Sequence, residues 1–146
     1  MANTIDLEFA DGSYTFALPL ERIDELQRKC GAGIGALFAR VIKGANRVGD
    51  DIILAPGQAE FYALDLIETI RQGLIGGKKG LVDGKEIEVS PALAQRLVAN
   101  YVMNQPLSSA WSLAVSILGA VIVGYDPPGE AAPGDAPASE KKATEA

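Results

Sequence analysis

A few residue groups in this sequence have types and spacings that can do chemistry. Gly31-Ala32-Gly33-Ile34-Gly35-Ala36 spells the dinucleotide fingerprint in its alanine-ended form, in which glycines let a backbone approach a pyrophosphate at a helix N-terminus. That motif needs a buried strand just before it, whereas Glu21 to Cys30 reads as a charged amphipathic helix; the glycines are therefore read as a joint between two helices. Gly77-Lys78-Lys79 ends like a phosphate-binding loop, yet Lys79 occupies the place of the magnesium-binding Ser or Thr, and no upstream glycine aligns. A solvated, flexible loop is expected there. Asp50-Asp51, and Asp65 with Glu68, are carboxylate pairs of the kind used in acid–base or magnesium chemistry. Neither pair has a third converging ligand nearby, and both are read as surface charge. Cys30 has Arg28 and Lys29 beside it, but adjacent helical residues point in different directions, so it is read as a structural cysteine.

Composition narrows the chemistry further. The 146 residues contain no histidine and one cysteine, which removes the usual general base near neutral pH, most transition-metal ligand sets and any disulfide within the chain. A Ser-Lys or carboxylate-only enzyme stays formally open, but no spacing supports one. The expectation is a protein that is not an enzyme, with no catalytic, metal-binding or cofactor-binding residues. Thirteen basic against 19 acidic residues give a net charge of −6, which disfavours a phosphate backbone as partner. The start Met1-Ala2-Asn3-Thr4-Ile5-Asp6 lacks the basic and apolar segments of a signal peptide, so a cytoplasmic location is expected.

The elements that would position these residues follow from periodicity. Ile5, Leu7, Phe9 and then Tyr14, Phe16, Leu18 alternate around Asp11-Gly12, predicting a β-hairpin in which Phe9 faces Tyr14, Leu7 faces Phe16 and Ile5 faces Leu18. Leu20, Ile23, Leu26, Gln27 and Cys30 have helical spacing, as do Ile34, Leu37, Phe38, Val41 and Ile42 up to Gly44. Ile52-Ile53-Leu54, within the connection from Ala45 to Gly57, fits either a short strand or a loop anchor. A third helix is predicted from Glu60 to Gln72, with Phe61, Leu64, Ile67 and Leu74 inward and Glu68 and Arg71 on the wetter side; Gly73, Gly76, Gly77 and Gly80 then argue against regular structure. Asp83-Gly84 suggests a second short hairpin, with Ile87 and Val89 on its second arm. Ser90-Pro91 opens a fourth helix running to about Asn104.

Residues 107–125 form an uncharged apolar stretch. Its length approaches the roughly 20 residues that span a bilayer, with Trp111 and Tyr125 near the ends. Its serines, Gly119, Gly124 and the absence of basic flanks favour instead a core helix, or one that covers its apolar face with a partner. Trp111, Val115, Leu118 and Ile122, with Leu107, are the candidate partner-binding residues. From residue 126 on, Pro, Gly, Ala and charges dominate, with five acids and two bases for a net of −3, which predicts a disordered acidic tail. The overall expectation is a mainly α (α+β) domain over 1–125, an N-terminal β-hairpin followed by a small bundle of four to five helices, and a tail over 126–146.

Two stretches also carry a family resemblance: Leu20-Glu21-Arg22-Ile23-Asp24-Glu25-Leu26-Gln27-Arg28-Lys29-Cys30-Gly31 and Ala63-Leu64-Asp65-Leu66-Ile67-Glu68-Thr69-Ile70-Arg71-Gln72-Gly73-Leu74-Ile75-Gly76-Gly77. With the N-terminal hairpin before them and an Ala/Leu/Val-rich helix after, the chain over roughly residues 4 to 105 resembles gene-transfer-agent and phage tail proteins described as tail assembly chaperones or tail tube components. The resemblance implies a non-enzymatic role in building a tail, by shielding the tape-measure protein before the tube polymerises. The alternatives are a structural tail component retained in the particle and a small single-span membrane protein using residues 107–125. Self-association is compatible with each of them.

Overall fold

The computed structural model describes residues 2–126; the predicted tail lies outside them except for Asp126. Its first element pair is the expected hairpin, β1 (Thr4–Phe9) and β2 (Gly12–Ala17), but the register differs from the predicted one. Leu7 faces Tyr14, Ile5 faces Phe16, and Phe9 faces Gly12, so the turn residues are Ala10 and Asp11. A shift of two residues preserves the side-chain parity of a strand, so Ile5, Phe9, Tyr14, Phe16 and Leu18 still share the buried face. The Phe9 ring meets those of Tyr14, its diagonal neighbour, and Phe16, further along β2, edge to face at 5.9 and 6.0 Å.

Tertiary packing explains the shift. A Cβ on Gly12 would overlap the carbonyl oxygen of Leu81 and stand 2.9 Å from Val82 Cγ2, so this glycine is spent on the approach of another strand rather than on the turn. Ala10 instead takes the left-handed conformation, φ 56°. The side chain of Asp11 holds the turn by accepting a hydrogen bond from Tyr14 Oη at 2.6 Å. Because an L-residue is disfavoured at that φ, Ala10→Gly is expected to stabilise the fold by about 0.5–1 kcal/mol, read as an increased urea midpoint at unchanged slope.

The chain continues as α1 (Leu20–Cys30), α2 (Ile34–Ile42), β3 (Ala45–Val48), β4 (Asp51–Leu54), a 3-10 turn (Pro56–Gln58), α3 (Ala63–Gly77), β5 (Lys79–Val82), β6 (Lys85–Glu88), α4 (Pro91–Tyr101) and α5 (Leu107–Ile122). The glycine-rich stretch after Cys30 is indeed a helix–helix joint: Gly31 is left-handed after α1 and Gly33 precedes α2. Ser90 Oγ caps α4 by accepting from Leu93 N–H at 3.1 Å, as serine before proline should. Helix α4 ends at Tyr101, before the expected Asn104.

The molecule is α+β, less purely helical than predicted. The N-terminal hairpin does not stand alone; it joins β5–β6 in an antiparallel sheet of order β1-β2-β5-β6, through the pairs Ser13–Leu81 and Tyr14–Gly80. The segment Ile52-Ile53-Leu54 is a strand, paired with β3 in a separate two-stranded ribbon. Leu20, the first residue of α1, is 74% exposed, whereas Leu26 of the same helical spacing is fully buried.

The largest correction concerns α3. It begins at Ala63, not Glu60, and runs through Gly73, Gly76 and Gly77. Those glycines are inside a helix because α3 presses on β2: added Cβ atoms would overlap the Ala17 carbonyl oxygen at Gly76 and the Thr15 carbonyl oxygen at Gly77. The Gly77-Lys78-Lys79 stretch is therefore no flexible loop. Lys78 terminates the helix in a left-handed conformation, its N–H donating to Leu74 O at 3.0 Å, and Lys79 opens β5.

Helix α3 packs against β2, α5, α1 and α4, so a one-faced pattern misassigns it. Leu66, Ile70 and Leu74 are buried, whereas Leu64, predicted inward, is 46% exposed. The core they build also contains Leu26, Leu37, Val41, Leu97, Val98, Trp111, Ile117 and Leu118.

Candidate interaction surface

The side chains that attracted chemical interest in the sequence are mostly holding helices together. Asp65 and Glu68 are buried rather than on the surface, because each carboxylate has cationic or amide partners that replace water. Asp65 receives both prongs of Arg40, Nε to Oδ2 at 2.8 Å and Nη2 to Oδ1 at 2.7 Å, and also the Tyr62 N–H at 2.8 Å. The same Arg40 donates to the Cys30 carbonyl at 3.1 Å and lies 4.9 Å from the Tyr62 ring centroid. One guanidinium thus ties α2 to the end of α1 and the start of α3.

A second chain of bonds runs along α3. Arg71 pairs with Glu68 at 3.0 Å, Gln72 Nε2 donates to Glu68 at 3.3 Å, and Arg22 of α1 donates to Gln72 Oε1 at 2.9 Å. Among the described residues no cluster of three or more His, Cys, Asp or Glu side chains is arranged to hold a metal ion. Asp50 and Asp51 sit exposed at the turn of the β3–β4 ribbon, apart from both networks.

Cys30 is half-buried against α3, its Sγ 3.9 Å from the Leu64 carbonyl. Burial, reinforced by the negative charges of Asp65 and Glu68, pushes its thiol from 9.0 up to about 12. The neutral thiol is therefore favoured by folding, a contribution intact below pH 9 and lost as the pH rises toward 12. Alkylation of the native protein at pH 8 is expected to be about 30-fold slower than that of the unfolded chain, followed by mass spectrometry, because fewer thiolates outweigh their greater nucleophilicity.

Helix α5 is the apolar stretch of the sequence, and it is largely interior. Trp111 is 2% exposed and Leu118 fully buried; the Trp111 indole N–H donates to the Val41 carbonyl at 2.7 Å, and its ring packs against Phe61 with centroids 4.8 Å apart and planes tilted by 53°. These two of the five predicted partner-binding residues are thus core residues of the folded chain. Leu107 and Ile122 are 39% and 41% exposed at opposite ends of the helix, and Val115 is half-buried. No helix among the described residues is long and apolar enough to cross a membrane.

Val115 lines an open groove of about 900 Å³. One wall is α5 and the residue after it, with Val115, Ser116, Gly119, Ala120 and Val123; the other is α2 and the ribbon with its turn, with Phe38, Ile42, Arg47, Asp50 and Ile52. Ile5 and Leu7 of β1 lie between them, and Tyr125 and Asp126 close one end. Periodicity alone missed most of these residues. The legible signal was the small trio Ser116, Gly119 and Ala120 at i, i+3 and i+4, which leaves a trough on an otherwise bulky helix. On the ribbon face turned away from the groove, Val48 and Ile53 are 61% and 53% exposed, and Val123, just beyond α5 at the groove, is 64% exposed.

Fold and surface together define a small α+β domain with a polar-stitched helical core and an open apolar groove. A family model described as "Phage tail tube protein, GTA-gp10" matches residues 2–124, nearly the whole described domain, and the chain belongs to that family. The match extends beyond the residues 4 to 105 expected from the sequence and includes α5. Comparison with curated proteins and with solved structures gives no significant match.

Proposed function

We propose that this protein is a non-enzymatic factor of phage-type tail assembly. It works in the cytoplasm of a bacterial host, binding a helical segment of another tail protein, the tape-measure protein foremost, and keeping it covered until the tube forms. The observation that carries this reading is the open apolar groove within a domain matched throughout by a phage tail family.

A second reading, a structural subunit retained in the tail, is favoured by the family's description as a tube protein. Quantitative mass spectrometry of purified particles separates the two. A chaperone is captured with a long helical tail protein from the soluble lysate and is absent from particles. Stoichiometric presence in particles, comparable with other tail proteins, would replace the chaperone reading with the structural one. Absence from particles, with no tail protein captured, would overturn both.

A further inference from the structure

We propose that the groove between α5 and the β3–β4 ribbon docks a basic amphipathic α-helix of another tail protein; this rests on the assembly reading and gives its partner a chemistry. Three observations point to that occupant. The α5 wall is a trough, with Ser116, Gly119 and Ala120 set low between Val115 and Val123, the shape that lets a second helix axis come close. Packing among the described residues does not require a glycine at 119, since none of them lies within 4 Å of where its Cβ would be, although glycine weakens a helix interior. Its missing side chain is useful only to something approaching from outside.

Charge selects among apolar helices. Asp50 on the ribbon turn and Asp126 beyond α5 stand at the groove, opposed by Arg47, on a chain whose net charge is −6. Lysines or arginines flanking an apolar stripe are attracted to that rim, and an acidic helix is repelled. The chain's own last residues are poor occupants, because 127–146 contain no Val, Leu, Ile, Met or aromatic side chain to fill apolar space. A second copy brings the same negative charge.

The test is a fluorescence anisotropy titration of the full chain with two labelled helical peptides that share one leucine stripe, one carrying lysines on its polar face and the other glutamates. The lysine peptide is expected to bind at least about tenfold tighter, the gap shrinking as salt rises. Gly119→Trp, which fills the trough, is expected to weaken the lysine peptide about tenfold with circular dichroism unchanged. Asp50→Lys, at an exposed turn where folding is not at stake, is expected to weaken it about threefold; Leu20→Ser, on a distant exposed side chain, leaves it unchanged. Equal affinity for the two peptides, or full binding by both groove variants, overturns the proposal. So does a dimer in light scattering that Gly119→Trp dissolves, which gives the groove to a second copy, or broadening of Val115 methyl signals by a spin label at Ser139→Cys, which gives it to the chain's own end. If the groove fails while tail proteins still co-purify, the docking site alone is lost; if none co-purifies, the assembly reading falls with it.

Discussion

Gly77→Ala is expected to destabilise the protein by at least about 3 kcal/mol, lowering the melting temperature by roughly 10 °C or leaving no folded protein at all. In an exposed helix the same change stabilises by about 1 kcal/mol, since alanine is the better helix former. Here the sign reverses because the new methyl would overlap the Thr15 carbonyl oxygen of β2, a backbone atom that cannot rotate away. Gly76→Ala, facing the Ala17 carbonyl, should behave alike. Gly119→Ala is the internal control: it adds the same methyl to a helix with nothing within 4 Å and should raise stability by about 0.5–1 kcal/mol. Thermal melts of the three variants decide the matter. A gain of stability in all three would mean that propensity and unfolded-state effects, not the α3–β2 contact, govern these positions.

Asp65→Ala should cost about 3–5 kcal/mol. The carboxylate is 1% exposed and its Arg40 partner 23%, so removing it strands a largely desolvated guanidinium and frees the Tyr62 N–H at the start of α3. Asp65→Asn should lose less, because an amide oxygen still accepts from Tyr62 but cannot take both prongs of Arg40. The pair's own contribution comes from a cycle with Arg40→Ala, in which a coupling of at least about 1.5 kcal/mol is expected for a buried bidentate pair. Additive losses would show that Asp65 acts as a helix cap alone. By contrast, the exposed Lys43–Glu60 pair at 3.0 Å, with side chains 55% and 62% exposed, should contribute little when either partner is removed.

Local signals proved readable where the chain's own neighbours decide the outcome. The Asp83-Gly84 hairpin formed with both turn residues left-handed, Ser90 capped α4, and the Gly31–Gly33 break separated two helices. Failures came where a distant segment outvoted local preference. Gly12 looked like a turn residue until β5 was known to pass over it, and Gly73, Gly76 and Gly77 looked like helix breakers until β2 lay against them. Asp65 and Glu68 looked solvated because their arginine partners are not all local: Arg40 is 25 positions away, and only Arg71 lies on the same helix. The interaction surface was legible in part. An apolar stretch with no charge correctly pointed to α5, yet its largest side chains, Trp111 and Leu118, turned inward, leaving its smallest residues to shape the groove.

The two ends of the domain meet in a single β-bridge. Ala2 N–H donates to the Tyr125 carbonyl and Tyr125 N–H to the Ala2 carbonyl, both at 2.8 Å. For an engineer this makes the domain nearly a closed loop. A short linker across residues 2 and 125 would let the chain be reopened at an exposed turn such as Asp83-Gly84, moving a reporter or tether to the far side without disturbing the core. In its natural order, the first and last described residues, Ala2 and Asp126, lie at one corner of the domain, beside the groove.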